Sequence, residues 1–452
     1  MMRESGDSAV YMQVSWSILN GSPFTTSIFE HLPRIPQNFL GEQLAFTLSL
    51  FSPLTILHNS GILFLCIQII IIVTAAIYLF LLSILHMENR WIPLLIILCF
   101  LFNTATVLSF SHFGFRVETL FIPCIIAIFY YITKEKYVPA TIALLLTLLT
   151  KHNSIGVVLM MGLYFLIISR KHWKYGIFCV VLSITYYFIG VEFIMTSFQI
   201  NPQGHFKHFD DFGGTALEAF GNIILHPSLV FNQLTEVKIG HILSIVLPAG
   251  LLAIFTPVFW ISLPQLIMNM VITDYHAVFC GWHWALVVPY LFIALVYSIS
   301  FLLRLAEHKT YNRFVVSSII ILLLADISFK LIQYDKNVLL RLERITESRE
   351  SVSIGRVNEK LSTIPDSASL MVSGNLLWFT FARQEVYTSD RLFHADVDYI
   401  AVLFPTNTLN HKDKHLLPEI NNFFKLKKSK LDDFTVIYHD NELIIFQNTS
   451  RL

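Results

Sequence analysis

The sequence predicts a polytopic α-helical membrane protein of about ten spans with a small C-terminal extramembrane α/β domain. Of the 452 residues, 55% are hydrophobic and 14% are charged, and 39 are phenylalanine, so the chain is far more apolar than a soluble domain. The apolar residues also form stretches close to the roughly 20 residues that cross a bilayer, and short polar loops separate them. These two observations together define the class.

The composition excludes some partners. The formal net charge is zero, so the chain lacks the basic surplus with which nucleic-acid-binding proteins replace phosphate counterions. We therefore expect no nucleic acid partner. The five cysteines lie in or beside apolar stretches without CxxC spacing, which indicates small core side chains and no redox or metal site.

Candidate spans follow one another along residues 62–331, which we predict to be the transmembrane domain. Four are long apolar stretches: 62–85, 92–110, 175–198 and 284–303. Six others are shorter or more often interrupted by polar residues: 119–132, 138–149, 155–168, 241–255, 258–271 and 314–331. Short spans of this kind can cross a bilayer when they are packed within protein.

Two chemically different sets of loops alternate between these spans. One set is basic and comprises 86–90, 133–136, 169–174 and 304–309. The other set carries acids and histidines and includes Asp7, Glu42, 112–118, 151–152, 205–211 and 274–283. Because positively charged loops stay in the cytoplasm, the second set is expected at the outer face of the inner membrane.

The two ends of the chain are predicted to lie outside as well. Residues 1–61 mix aromatic and aliphatic residues with prolines, which is typical of interfacial helices on the outer surface. Residues 332–452 are less apolar and contain strand-like runs at 369–372, 399–404, 434–439 and 443–446. We therefore predict three regions: an outer-face segment, a transmembrane domain and an extracytoplasmic α/β domain.

Several short motifs carry a resemblance to a known family. They are GDSAVYMQVSWSILNG at 6–21, GEQL at 41–44, SHFGFRVE at 111–118, TKHN at 150–153 and HWALVVP at 283–289. In this order and spacing they resemble a family of prokaryotic predicted membrane proteins of unknown function (domain of unknown function 2079), whose members are similar to GT-C glycosyltransferases. The family usually has Asp-His where this chain has Glu42-Gln43, and an acid where this chain has His152.

The resemblance implies a GT-C-like fold and transfer of a sugar from a polyprenyl-phosphate donor. It also implies a span ahead of the first outer loop, whereas Asp7 stands near the start of this chain. In GT-C enzymes the acid of that first outer loop deprotonates the acceptor hydroxyl, so Asp7 is the candidate base and Glu42 a second catalytic acid. Both have structural alternatives, an N-cap for Asp7 and a first-turn residue favoured by the helix dipole for Glu42.

Other outer-loop residues are candidates for substrate binding. Such a transfer needs cationic groups or a metal ion to stabilise the leaving phosphate. The candidates are His112, Arg116, Glu118, Lys151, His152, His205, His208 and His283. The alternatives are an Arg116–Glu118 structural pair, snorkelling of Lys151 to lipid headgroups, a solvated loop at 205–211 and an interfacial aromatic belt around His283.

No metal ligands are assigned, because the acids and histidines of 205–211 do not match the spacing of a standard site. No cofactor is assigned either, with a divalent cation as the alternative means of stabilising the phosphate. The expected partners are a polyprenyl-phosphate-linked sugar, membrane lipid and a lipid or cell-surface glycan acceptor. A flippase for lipid-linked glycans and an inactive GT-C-like scaffold are the alternative functions.

Overall fold

The computed structural model describes residues 6–28, 37–57, 61–111, 114–198, 212–213, 216–271, 281–307, 312–349, 354–373, 376–388, 397–403, 434–440 and 443–451. These residues divide into two compact units. The smaller unit comprises Met1–Asn38, Ser49–Phe64 and Tyr334–Leu452, and the larger unit comprises Phe39–Leu48 and Leu65–Gln333.

The described residues are mainly helical. The α-helices are α1 (Gly6–Leu19), α2 (Ser52–Leu57), α3 (Ile62–His86), α4 (Trp91–Phe102), α5 (Thr104–Ser111), α6 (Phe121–Thr133), α7 (Tyr137–Thr150), α8 (Ser154–Ile167), α9 (Trp173–Tyr186), α10 (Thr196–Phe198), α11 (Ala216–Leu225), α12 (Pro227–Asn232), α13 (Glu236–Val246), α14 (Leu251–Ile254), α15 (Leu263–Val271), α16 (Val288–Glu307), α17 (Asn312–Arg349), α18 (Ile354–Leu361) and α19 (Leu377–Thr380). A π-helix, Tyr187–Met195, joins α9 to α10. Short 3-10 helices are Phe39–Gly41, Phe46–Leu50, Val117–Leu120, Arg170–His172, Phe259–Ser262, Gly281–Trp284 and Thr449–Arg451.

Membrane-spanning potential is concentrated in the larger unit. Within the described residues, four helices are long and apolar enough to cross a bilayer: Ile62–His86, Arg170–Phe198, Val288–Ala306 and Arg313–Ile332. Shorter apolar helices include Trp91–Phe102, Val117–Thr133, Tyr137–Thr150, Ser154–Ile167 and Phe259–Val271. The protein is therefore a membrane protein with several apolar helices, as the composition predicts.

Two predicted spans are broken in the structure. The stretch 92–110 divides into α4 and α5 at Asn103, and the stretch 241–255 divides into α13 and α14 around Leu247 and Pro248. Pro248 has no backbone N–H to continue a helical ladder. Asn103 turns its side-chain amide to the neighbouring break, where Nδ2 donates to Ile245 O at 2.8 Å.

A buried acid and a buried lysine of α17 form hydrogen bonds with the free backbone groups at the break between α13 and α14. Lys330 donates from Nζ to Ser244 O and, at 3.4 Å, to Ile245 O, while Asp326 Oδ1 accepts from Ala249 N at 3.2 Å. Lys330 is 0% exposed and Asp326 is 3% exposed. A helix end in a bilayer needs such partners, because its last carbonyls lack intrahelical donors. The sequence offered a signal that we missed, an acid and a lysine four residues apart in an apolar span.

The basic loops lie together at one end of the larger unit. Glu135 and Lys171 form an ion pair at 2.5 Å between two of these loops. Near a third loop, Ser300 Oγ donates to His86 O at 3.0 Å and accepts from Arg304, whose residue begins the fourth loop. The Tyr297 ring then links this pair of loops to α6, with centroids 5.0 Å from His86 and 6.5 Å from Phe129. This clustering agrees with the prediction that the four loops share one side.

The smaller unit contains a five-stranded sheet. Its strands are β3 (Leu370–Val372), β4 (Val386–Thr388), β5 (Tyr399–Leu403), β6 (Phe434–His439) and β7 (Leu443–Asn448), and a separate two-stranded ladder joins β1 (Thr25–Thr26) to β2 (Gln37–Asn38). The sheet order is β4-β3-β5-β7-β6. The pairs β3–β4 and β3–β5 are parallel, whereas β5–β7 and β6–β7 are antiparallel.

Residues 1–61 do not form the separate region that we predict: Met1–Asn38 and Ser49–Phe64 belong to the same unit as this sheet, and Phe39–Leu48 belongs to the larger unit. Gln13 Nε2 donates to Arg383 O at 2.9 Å, and Ser27 Oγ exchanges two hydrogen bonds of 2.9 Å with the backbone of Val386. Gly61 N donates to Trp378 O at 3.2 Å. Hydropathy patterns do not record such long-range polar contacts.

Two further differences concern helix character and boundaries. Helix α1 is not amphipathic: Ala9, Val10, Tyr11 and Met12 are consecutive and all buried, so it lacks the polar face of an interfacial helix. The predicted boundary between 331 and 332 falls inside α17, which is one continuous helix of 38 residues.

We predict that Lys330→Met lowers the free energy of unfolding by about 3 kcal/mol, because it leaves the buried Asp326 charge uncompensated. The double variant Asp326→Asn/Lys330→Met should recover part of this loss. Unfolding of the detergent-solubilised protein measures both, with the exposed Lys174→Met as the control. Equal behaviour of Lys330→Met and the control would contradict the role of the lysine.

Candidate functional site

The structure brings three of the predicted substrate-binding residues together: Arg116, Glu118 and Lys151. Glu118 lies in the 3-10 helix that precedes α6, and Lys151 directly follows α7. Lys151 Nζ and Glu118 Oε1 are 2.7 Å apart and form an ion pair. Since α6 and α7 are joined by the basic loop around Glu135, this ion pair lies at the opposite end of the helices from that loop.

Neighbouring polar groups fix the backbone at Arg116 and at Lys151. Gln68, which is 1% exposed on α3, accepts from Arg116 N at 2.7 Å through Oε1 and donates to Ser109 O through Nε2. Thr119 Oγ1 donates to Arg116 O at 2.7 Å. On the other side of the pair, Ser154 Oγ donates to Lys151 O at 2.8 Å. The pair is therefore held by groups on several elements.

Burial and charge act in opposite directions on Glu118. Burial alone would raise the pKa of its carboxyl, but the positive charges of Lys151 and Arg116 and the hydrogen bond from Lys151 hold the pKa below its usual range. Glu118 is consequently ionised at neutral pH and is a poor proton acceptor. Its chemistry suits positioning of a cation and does not suit general-base catalysis.

The three charged groups together carry a net positive charge, and one of them is accessible to solvent. Two cations and one anion sum to one net positive charge. The side chain of Lys151 is 17% exposed, whereas that of Glu118 is 2% exposed and Arg116 is buried. The accessible member of the group is thus the lysine, and the group as a whole suits an anionic ligand.

Three other predicted residues lie in the same unit as this group: Glu42, His152 and His283. Glu42 is half-buried after the turn Phe39–Gly41, and its segment touches the site loop where Thr47 Oγ1 lies 3.5 Å from Thr150 Oγ1. His283 is half-buried, and its backbone oxygen accepts from Asn269 Nδ2 at 2.9 Å. His152 is half-buried beside Lys151.

The remaining predicted residues belong to the smaller unit or lie outside the described residues. Asp7 is exposed in the first turn of α1, within the smaller unit. His112, His205 and His208 lie outside the described residues. Within the part of the chain that the structure describes, no cluster of three or more His, Cys, Asp or Glu residues could hold a metal ion.

Sequence analysis missed a row of three carboxamides beside Lys151. Asn153 Nδ2 donates to Gln265 Oε1 at 3.2 Å, and Gln265 Nε2 donates to Asn269 Oδ1 at 2.8 Å. Asn269 then donates to the His283 backbone. The available signal was the spacing of Gln265 and Asn269, which are four residues apart in a predicted span and therefore share a helix face.

Comparison with known proteins gives a family match. A family model described as Predicted membrane protein (DUF2079) matches residues 5–431, which is nearly the whole chain. No curated protein matches the sequence.

Acid should weaken the fold through Glu118. Its folded-state pKa is below the unfolded value of about 4.3, so its stabilising contribution is fully present above about pH 4.3 and is lost as the pH falls towards the folded-state pKa. Glu118→Gln should be less stable than wild type at pH 7 and should lose less stability between pH 5 and about pH 2.

Melting temperatures across this pH range measure the difference. The control is Glu88→Gln, which changes an exposed acid in a basic loop and should keep the acid sensitivity of the wild type. Identical pH profiles for Glu118→Gln and wild type would show that the ion pair does not stabilise the fold.

Proposed function

Because the chain belongs to the DUF2079 family of predicted membrane proteins, we propose that it is a glycosyltransferase of GT-C type. It transfers a sugar from a polyprenyl-phosphate donor to a lipid or cell-surface glycan acceptor, with inversion at the sugar carbon. The observation that carries the proposal is the partly exposed Lys151, held on buried Glu118 beside Arg116.

This group has the properties that a phosphate site requires. A phosphodiester-linked sugar leaves as a phosphate, whose growing negative charge is stabilised by fixed cations. Lys151 supplies a cation that its ion pair holds in place, and the charge of Arg116 lies close enough to act on Glu118. Fixed charges of this kind do not need to reorganise during the reaction, which makes them effective in catalysis.

The proposed topology places this group outside the cytoplasm. The protein has about ten spans in the inner membrane, and the four basic loops face the cytoplasm. The clustering of those loops at one end supports this orientation, since Glu118 and Lys151 then face outward at the opposite end. The α/β domain of residues 332–452 is extracytoplasmic in the same arrangement.

The proposed bases are Asp7 and Glu42. Glu42 is favoured by its place in the same unit as Lys151, through a segment that touches Thr150. Asp7 is favoured by its position in the segment 6–21, because in GT-C enzymes the acid of the first outer loop is the base. His152 and His283 would contact the substrate, and a divalent cation is the alternative to Lys151 as the group that stabilises the phosphate.

One observation favours the second candidate function, a flippase for lipid-linked glycans. Asp326 and Lys330 are buried charges within a candidate span beside a broken helix, which is an arrangement that transporters use. Their hydrogen bonds, however, go to backbone groups on both sides of the break. This use of both side chains supports a structural role and leaves the transferase as the better proposal.

We expect the purified protein in proteoliposomes to transfer label from a panel of polyprenyl-phosphate-linked sugars to a cell-envelope extract. Asp7→Asn and Glu42→Gln should each lower the rate if that carboxylate is the base, by about 100-fold or more for the true base. Lys151→Met should raise the KM for the donor. Glu88→Gln is the matched acid control and should keep wild-type activity.

Two outcomes would contradict the proposal in different ways. Full activity of both Asp7→Asn and Glu42→Gln would reject the assigned bases. Movement of the intact donor lipid across the bilayer, without loss of its sugar, would instead establish the flippase.

A further inference from the structure

The side-chain carboxamide of Asn153 does not cap the helix that it precedes. Asn153 is the N-cap residue of α8, where an asparagine side chain normally accepts from the first free backbone amides. Here no side-chain cap hydrogen bond is present. The side chain turns instead to Gln265 and joins the row of carboxamides that ends at the backbone of His283.

The chemistry of the row fixes the orientation of every amide in it. The backbone oxygen of His283 can only accept, so Asn269 must direct Nδ2 towards it and keep Oδ1 for Gln265. Gln265 must then donate from Nε2 and accept through Oε1, which requires Asn153 to donate from Nδ2. The oxygen Oδ1 of Asn153 is therefore the free end of the row.

This free end is a buried acceptor. Among the residues that the structure describes, Asn153 Oδ1 has no hydrogen-bond partner although the atom is buried. An unsatisfied buried acceptor costs free energy, which a bound donor recovers. The three amides are aligned head to tail, and hydrogen-bonded rows polarise one another, so this oxygen accepts more strongly than an isolated amide would.

The groups beside Asn153 indicate which ligand would bind there. Asn153 lies two residues after Lys151, in the turn that Ser154 closes on Lys151 O. An oxygen that can only accept attracts a hydroxyl hydrogen and repels a phosphate oxygen. Phosphate next to the lysine and a hydroxyl next to the asparagine are the two adjacent groups of a sugar phosphate. Lys151, His152 and Asn153 are all half-buried, so each exposes part of its surface, and a hydroxyl that reaches the buried Oδ1 must enter beside them.

We propose that Asn153 Oδ1 accepts a hydrogen bond from a carbohydrate hydroxyl bound beside Lys151. This inference rests on the proposed function, because it takes the phosphate at Lys151 as given. The hydroxyl belongs either to the donor sugar or to the acceptor glycan. Gln265 and Asn269 are positioning residues that orient Asn153 through the row.

Binding of radiolabelled lipids to the protein in nanodiscs tests the proposal. The probes are undecaprenyl phosphate and the same lipid carrying mannose, glucose or galactose. If the donor sugar supplies the hydroxyl, Asn153→Ala weakens binding of a sugar-bearing lipid roughly 5- to 10-fold and leaves the bare lipid unchanged. If the acceptor supplies it, lipid binding is unchanged and the KM for the acceptor rises by a similar factor.

Two variants control for misfolding. Asn153→Ser keeps a favourable N-cap residue but shortens the side chain out of reach, and it should reproduce the loss. Asn89→Ala truncates an asparagine in a basic loop and should bind both lipids like wild type.

The failures are distinguishable. If Lys151→Met weakens binding of both lipids while Asn153→Ala and Asn153→Ser change neither sugar-lipid binding nor the KM for the acceptor, the hydroxyl site is wrong and the phosphate site stands. If the wild-type protein binds neither lipid, the proposed phosphate site is rejected, and the hydroxyl site that depends on it is rejected as well.

Discussion

The ion pair between Glu118 and Lys151 determines how the loops at this end of the larger unit are arranged. Its members are 2.7 Å apart, and the buried carboxylate fixes a lysine that stays partly exposed. Burying Glu118 without Lys151 and Arg116 would be costly, so the three charges must come together whenever α6 and α7 pack. A carboxylate held in this way positions a cation and does not take a proton, so the base of the proposed reaction must be another residue.

Much of the membrane fold could be predicted from the sequence because lipid imposes simple rules. The long apolar stretches become helices such as α3 and α16, and the basic loops meet at one end. The breaks at Asn103 and Pro248 could not be placed, because both depend on long-range contacts. Asn103 bonds to Ile245, and the break at Pro248 is bonded by Asp326 and Lys330 from a distant helix. The placement of the N-terminal segment with the sheet depends likewise on Gln13 and Ser27.

The site was predictable only in part. Arg116, Glu118 and Lys151 were found because charges near apolar spans are expensive and stand out. Gln68, Asn153, Gln265 and Asn269 were missed because uncharged amides in or beside apolar spans look like ordinary polar residues. Each of these amides matters through its hydrogen-bond partner. Gln68 bonds to Arg116, and Asn153, Gln265 and Asn269 bond to one another, which the sequence does not show. His112, His205 and His208 remain predictions outside the described residues.

The decisive experiment determines on which side of the membrane the Lys151 loop lies. Single cysteines would be introduced by Asp7→Cys, His152→Cys, Glu88→Cys and Lys171→Cys after replacement of the five native cysteines. Intact cells would then be treated with a membrane-impermeant maleimide. We expect labelling of positions 7 and 152 from outside, and of positions 88 and 171 only after permeabilisation. Labelling of position 152 from the same side as position 88, or from the opposite side to position 7, would contradict the proposed topology.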